Sequence, residues 1–172
     1  TAMPGAVPDK PTSVTAAASD QSAIVIWSAP SNTGGFDIQS YDLIIHRSNG
    51  ADVFVNTGSS ATSYNATSLT NGVSYSFQVI ARTSFGISDT STVSNVVIPA
   101  GSPGTPTGVT AAPRNSALQI SFTAPTVTGG VALSKYLVET SGDGSSWTLV
   151  ANSSISRTSD TATTLTVNGL AN

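Results

Sequence analysis

The chain has 172 residues, a formal net charge of −3 and only 9% charged residues. Six lysines and arginines over this length cannot neutralise several phosphates at once, which excludes a nucleic-acid-binding surface. The absence of cysteine excludes disulfides, thiolate metal sites and cysteine nucleophiles. No run of about 18 apolar residues is present, so the sequence predicts no membrane insertion.

The sequence repeats itself after 95 residues, from Pro11 to Pro106. The segment Pro11-Thr-Ser-Val-Thr-Ala-Ala recurs from Pro106 as Pro-Thr-Gly-Val-Thr-Ala-Ala, and Trp27-Ser-Ala-Pro recurs from Phe122 as Phe-Thr-Ala-Pro. Farther on the shift grows to 101, because the second copy holds six extra residues around 152–160. Loops absorb insertions at little energetic cost, so we expect a longer surface loop there.

Each copy alternates apolar and polar residues in short runs, and clusters of Gly, Pro, Asn and Ser separate these runs. This pattern is typical of antiparallel sandwiches. In the first copy it predicts strands near residues 13–19, 23–28, 41–48, 52–57, 62–66, 74–83 and 92–98. The inward-facing positions of the two copies supply the core: Ala23, Val25, Trp27, Tyr41, Leu43, Ile45, Tyr75, Phe77, Val79 and Ala81, then Leu118, Ile120, Phe122, Tyr136 and Val138.

Several motifs of the first copy together resemble a fibronectin type III domain. Trp27 stands three residues before a proline, Tyr41 lies in the third predicted strand, and Leu69-Thr-Asn-Gly-Val-Ser-Tyr75-Ser-Phe77 follows. The resemblance implies a tyrosine corner in which the Tyr75 hydroxyl bonds upstream backbone, and it makes Leu69 a core residue. It covers the first copy fully and the second in part. The expected fold is therefore all-β, with two tandem seven-stranded immunoglobulin-like sandwiches, the second without its last two strands.

This resemblance divides the chain into four parts. Residues 1–10 form a linker and the end of a preceding module, 11–99 the first module, 100–105 a linker, and 106–172 an incomplete second module with strands A to E. Proline-spaced linkers are semi-rigid, so neighbouring modules should keep a roughly fixed separation. Three explanations of the short second module stay open: a polypeptide that continues, strands donated by another chain, or a partly unfolded module.

The inventory of catalytic residues is poor. His46 is the one histidine, and alternation places it on the outer face of a strand without the serine and carboxylate of a triad. His46 and Asp42 are too few ligands for a metal. Asp37, Asp42 and Asp52 are too dispersed to predict a glycosidase pair. We therefore expect no catalytic, cofactor-binding or metal-binding residue, and no enzyme.

The segment from Ser141 to Trp147 reads Ser-Gly-Asp-Gly-Ser-Ser-Trp and is one residue short of the Asp-box of sialidase propellers. An Asp-Gly turn between two strands explains it. Trp147 is then a core or edge plug that corresponds to Phe54, or a platform for sugar if it is exposed.

Two further features predict a contact surface. Ile24 and Ile26 face outward from the second strand of the first copy, and Phe85 and Ile87 lie on the predicted F–G loop. Two glycosylation sequons also occur. They begin at Asn65 and Asn152, and Asn152 is the better candidate because Asn65 falls in a predicted strand.

The sequence thus predicts a non-catalytic spacer in a longer repeat-containing surface or virion protein. Its partners would be neighbouring modules of the same polypeptide or assembly, and its location extracellular, at a cell surface or in a virion. The alternative is a binding or adhesion module that contacts a glycan or protein through its loops, including as an accessory domain of a secreted polysaccharide-degrading enzyme.

Overall fold

The structure is a computed structural model that describes residues 5–170. The predicted end of a preceding module, at residues 1–3, lies outside this range. The described residues form two compact units: one extends to Ser102 and includes Gly129–Val131, and the other holds Pro103–Thr128 and the residues from Ala132 onward. The chain is all-β, as the alternation predicted.

The first unit contains two antiparallel sheets. Their orders are β1-β2-β5 and β4-β3-β6. The strands of this unit are β1 Thr12–Ser19, β2 Ser22–Ser28, β3 Ser40–Arg47, β4 Val53–Asn56, β5 Ser63–Ala66 and β6 Tyr75–Arg82. The longest pairing joins β3 to β6 without a register shift, from Ser40 opposite Arg82 to Arg47 opposite Tyr75.

Alternation of burial along β2 and β6 builds the core between these sheets. Along β2 the buried residues are Ala23, Val25 and Trp27, and the residues between them face solvent. The Trp27 ring meets the Tyr41 ring edge-on, with centroids 5.1 Å apart and an interplanar angle of 70°. Burial raises the pKa of Tyr41. The remaining core includes Leu43, Ile45, Leu69, Tyr75, Phe77, Val79 and Ala81.

The tyrosine corner closes the turn before β6. Tyr75 is 5% exposed, and its hydroxyl oxygen accepts the backbone N–H of Thr70 at 2.9 Å. This bond ties the start of β6 to the loop before it. In the same loop Leu69 N–H donates to Gln21 O at 2.9 Å, and the Leu69 side chain lies in the core.

The predicted strand at residues 92–98 is wrong as a regular strand. Residues 88–97, here called the serine segment, instead contact β6 at every third position. Ser88, Ser91 and Ser94 are buried, and each donates its N–H to a β6 carbonyl and accepts a β6 N–H on its hydroxyl oxygen, at 2.9–3.0 Å. Their β6 partners are Ala81, Val79 and Phe77. Each step of three residues along the serine segment therefore spans two residues of β6. This is possible because the serine hydroxyl oxygen accepts the β6 N–H that a backbone carbonyl accepts in a regular sheet.

The second unit has a four-stranded sheet, β11-β12-β8-β7, and a two-stranded sheet, β10-β9. Its strands are β7 Thr107–Arg114, β8 Ala117–Thr123, β9 Glu139–Thr140, β10 Thr148–Leu149, β11 Ile155–Ser156 and β12 Thr164–Asn168. Leu165 and Val167 are buried, whereas the predicted core residues Leu118, Ile120, Phe122, Tyr136 and Val138 are half-buried. Phe122 and Tyr136 still meet edge-on, at 4.6 Å between centroids.

The six extra residues of the second copy form more than the loop we expected. A short 3-10 turn at Asn152–Ser154 leads into β11, which pairs with β12. Arg157 holds this region, because its guanidinium donates to Tyr136 O at 3.2 Å and to Asn152 Oδ1 at 2.6 Å and pairs with Asp160 at 2.7 Å. The insertion is therefore built around one arginine, whose side chain is 8% exposed.

Candidate functional site

The polar side chains considered for catalysis are engaged in separate surface pairs. His46 Nδ1 lies 2.9 Å from Asp52 Oδ2, and its Nε2 lies 2.8 Å from Gln78 Oε1. Asp42 instead bonds Arg82 and Asn56, each at 2.6 Å. Within residues 5–170 no cluster of His, Cys, Asp and Glu is arranged to hold a metal ion. The described part also holds no helix long and apolar enough to cross a membrane.

In the first unit, the chain segment that precedes β1 binds the loop between β2 and β3. Residues 5–9, here called the strap, run beside the loop between β2 and β3. Ala6 N–H donates to Gly34 O at 3.2 Å, and Asp9 N–H donates to Asn32 O at 2.9 Å. The Asn32 side chain accepts Gly34 N–H at 3.0 Å and so shapes the same loop.

Two aromatic rings hold the start of the strap. Phe36 and Phe85 stack with centroids 5.4 Å apart and an interplanar angle of 16°. A Cβ added at Gly5 would meet Phe36 at 2.5 Å and Phe85 at 2.8 Å, so the Gly5 backbone lies directly against both rings. Phe85, a predicted contact residue, is thus 51% exposed yet partly covered by its own chain.

Gly34 is the position where the loop leaves no room for a side chain. It has φ +71°, a region that favours glycine, and an added Cβ would overlap the carbonyl oxygen of Ala6. Gly35 also has positive φ, +89°, but a Cβ there would meet nothing within 4 Å. The contrast shows that the close approach of the strap, and not the turn alone, demands glycine at position 34.

A cavity of about 530 Å³ opens beside the strap. Its wall combines aliphatic, hydroxyl and charged side chains, among them Val7, Asp9, Lys10, Ser31, Ile87 and Asp89.

Both strap contacts recur in the second copy at the shift of 95 residues. Gly101 N–H donates to Gly129 O at 2.9 Å, as Ala6 does to Gly34, and Gly104 N–H donates to Val127 O at 2.8 Å, as Asp9 does to Asn32. Both copies therefore bind the chain that precedes their first strand to the loop that follows their second.

The model of the fibronectin type III domain matches residues 9–97, more than half of the chain. The chain belongs to the fibronectin type III family. The matched range includes both sheets of the first unit, the tyrosine corner and the serine segment.

Known proteins resemble parts of this fibronectin type III chain. A Kelch domain-containing protein of Saccharolobus solfataricus is 31% identical over 128 residues, which are 74% of this chain and 17% of that protein. A crystal structure of titin domains is 30% identical with a TM-score of 0.50, covering 55% of this chain and 32% of its own. Domains FN1–FN3 of chicken CNTN1 share 18% identity and a TM-score of 0.50, covering 67% and 42%, and show the fold alone. The chain spans less than two thirds of each relative.

The other residues of the predicted contact surface lie on separate elements. Ile24 and Ile26 are 51% and 52% exposed on the outer face of β2, and Ile87 lies on the loop after β6. Trp147 belongs to the second unit and is 60% exposed, so it is not a core plug; its counterpart Phe54 is 70% exposed.

The sequence of this fibronectin type III chain did not predict that Phe36 stacks on Phe85, nor that the strap binds the loop between β2 and β3. Phe36 lies in a Gly-rich loop without periodicity, so no pattern marked it as packed. The signal was the paired glycines at 34–35, because repeated loop glycines indicate a close backbone approach.

Proposed function

We propose that this chain is a non-catalytic spacing segment of a longer repeat-containing protein at a cell surface or in a virion. Fibronectin type III domains are modules of multidomain proteins and are generally non-catalytic. The observation that carries the proposal is the binding of the strap to the loop end, through Ala6 to Gly34 and Asp9 to Asn32. A spacer needs the chain that enters a module to leave a fixed point in a fixed direction.

Three properties of the strap support this role. Pro8 within the strap and Pro11 just after it restrict the backbone before β1, and both are buried. Its hydrogen bonds and the Phe36–Phe85 stack hold it at several points along its length. Its pattern recurs at Gly104 in the second unit, at the corresponding position of the next linker. Neighbouring modules of the same polypeptide are the partners that this arrangement implies.

The strap can be tested with two matched glycine variants. We expect Gly34→Ala to expel the strap, because the new methyl group overlaps Ala6 O, and to raise amide hydrogen exchange at Ala6 and Asp9 at least tenfold. Gly35→Ala carries the same backbone strain but meets nothing, so exchange at these amides should stay as in the native chain. Equal exchange in the two variants, or fast exchange in the native chain, would overturn the proposal.

The spacing itself can be measured by spin-label distances. The chain has no cysteine, so labels enter only at introduced positions. Ala17→Cys and Ala112→Cys place them at matching exposed positions of β1 and β7. A spacer predicts a narrow distance distribution that broadens when Pro103 and Pro106 are both replaced by glycine. A native distribution as broad as that of the glycine variant would contradict spacing.

A second candidate function rests on the cavity beside the strap. Its charged and aliphatic wall suits a glycan or a protein loop, as expected for an adhesion module or an accessory domain of a secreted polysaccharide-degrading enzyme. Ile87→Ser and Asp89→Asn distinguish the two functions. A binding module would lose affinity for its ligand with unchanged unfolding, whereas a spacer would keep its distance distribution in both variants.

A further inference from the structure

An apolar stripe on the outer face of the first unit has no covering group within residues 5–170. Ile24 and Ile26 are each about half exposed on the central strand β2. On one side they lie opposite small residues of β1, such as Ala17 opposite Ile24. On the other side, on β5, Asn65 is opposite Ile24 and Ser63 is opposite Ile26. Among the residues paired directly with Ile24 and Ile26, Asn65 therefore has the one large polar side chain.

The position of Asn65 suits chemical modification. It is exposed on the edge strand β5, between Tyr64 and Ala66, which turn toward the core. No side-chain hydrogen bond engages its amide in the described part of the chain. It begins the sequon Asn65-Ala-Thr67, and Thr67 is exposed as well. We propose that Asn65 is an N-glycosylation acceptor and that the first sugars of its glycan cover Ile24 and Ile26.

The other sequon is less suited, which corrects the preference drawn from sequence. The Asn152 side chain already accepts a hydrogen bond from Arg157 at 2.6 Å. The Arg157 side chain is only 8% exposed and pairs with Asp160. Modification of Asn152 would disrupt the arginine that holds the insertion, whereas modification of Asn65 breaks no contact.

The second unit supplies an internal control. The positions that match the stripe are Gln119 and Ser121, and their partners on β12 are Thr166 and Thr164. Neither an apolar stripe nor a sequon occurs at this face. At this face, stripe and sequon thus occur together in the first copy and are missing together in the second. Exposed apolar surface lowers the solubility of a protein. A sugar ring whose C–H groups pack against the isoleucine side chains removes this surface from water.

The transfer reaction needs one co-reactant, an oligosaccharide carried on a lipid diphosphate, and a host transferase. The Asn65 amide nitrogen attacks the anomeric carbon of the first sugar and loses a proton. A carbon–nitrogen bond forms, the bond from the anomeric carbon to the diphosphate oxygen breaks, and the lipid diphosphate leaves. No oxidation or reduction takes place.

The acceptor is identified by intact mass after secreted expression of the full chain in a host that performs N-glycosylation. We expect one glycan on most molecules of the native chain and of Asn152→Gln, and none on Asn65→Gln or Thr67→Ala. The native chain, Asn65→Gln and Thr67→Ala should unfold at the same denaturant concentration after enzymatic removal of the glycan. An unmodified native chain, or a glycan that disappears in Asn152→Gln alone, would overturn the proposal.

The covering role is tested with the residues of the second copy. The double variant Ile24→Gln, Ile26→Ser should still carry the glycan. Removal of the glycan should lengthen retention on a hydrophobic interaction column for the native chain and leave retention of the double variant nearly unchanged. Equal shifts for the two proteins would overturn the covering role. So would concentration-dependent self-association of the glycosylated native chain that the double variant loses, because a second copy would then cover the stripe.

Discussion

Strands β2 and β8 occupy the same place in the two copies and differ sharply in burial. In β2 the inward residues are almost completely buried, with Val25 at 0% and Trp27 at 3% exposure. In β8 the matching residues Ile120 and Phe122 are half-buried, and Val109 of the neighbouring β7 is 65% exposed where its counterpart Val14 is 7% exposed. The two strands have corresponding neighbours in their sheets, β1 and β5 beside β2, and β7 and β12 beside β8.

The difference lies in what faces the strand. In the first unit β3 and β6 form the second layer, with eight residues of continuous pairing behind β2. Within the described second unit the facing sheet is the two-residue pair of β9 and β10. Alternation therefore specifies which side chains turn inward, but a second layer of similar length is needed to bury them.

The largest effect that would sharpen this comparison is the loss of the central aromatic residue. Trp27→Ala should destabilise the first unit by about 3–5 kcal/mol, because it leaves a cavity in a closed core. Phe122→Ala should cost the second unit only about 1–2 kcal/mol, since its ring is already half in water. Urea titration followed by amide NMR signals of each unit separates the two values. Equal losses would show that the two cores are closed to the same degree.

A smaller effect tests the serine segment, which is part of what closes the first unit. Ser91→Ala removes the hydroxyl that accepts the Val79 N–H and leaves this buried donor unpaired. We expect a loss of about 1–3 kcal/mol in the free energy of unfolding. The control is Thr92→Ala at the adjacent exposed position, which should change stability by less than about 0.5 kcal/mol. Similar values for the two variants would argue against hydroxyl pairing.

The smallest effect concerns the exposed turn of the second unit. Backbone N–H groups of Ser146 and Ser145 lower the pKa of Asp143 from its ordinary value to about 2. The charged carboxylate accepts these donors, so the turn is stabilised at pH values above the unfolded pKa, and this is lost as the pH falls through about 2. NMR titration of the carboxyl group should give this midpoint. Ser146→Pro removes the strongest donor and should raise the midpoint; an unchanged midpoint would refute the assignment.

The regular part of the fold was predictable from sequence. The bounds of β1 to β6 fall within a residue or so of the runs that alternation marked, because period-two burial is imposed directly by two facing sheets. The tyrosine corner was predictable from the resemblance of the motif from Leu69 to Tyr75 to fibronectin type III domains. The serine segment was not, since its period of three depends on side-chain oxygens acting as backbone acceptors, and strand patterns assume backbone pairing alone.

The site was less predictable than the fold. Sequence placed Phe85 and Ile87 on a loop that contacts a partner, and the structure adds that the strap lies on part of this loop. The contact joins residues about 80 positions apart, from Gly5 to Phe85, through a glycine that leaves no hydrophobic signal. Such a contact follows from the path of the chain and not from any local pattern.

The serine segment also affects whether the sheet edges of similar modules can pair with each other. An outer sheet edge made by a regular strand offers hydrogen-bonding groups at every second residue and can pair with an edge of a neighbour. The serine segment, which forms the edge beside β6, advances three residues for every two residues of β6. A regular strand placed against this edge would therefore lose its hydrogen-bonding register within one three-residue step. Many copies of this module held close together would therefore lack a matching template for sheet extension, and crowding along a repeat array need not lead to aggregation at this edge.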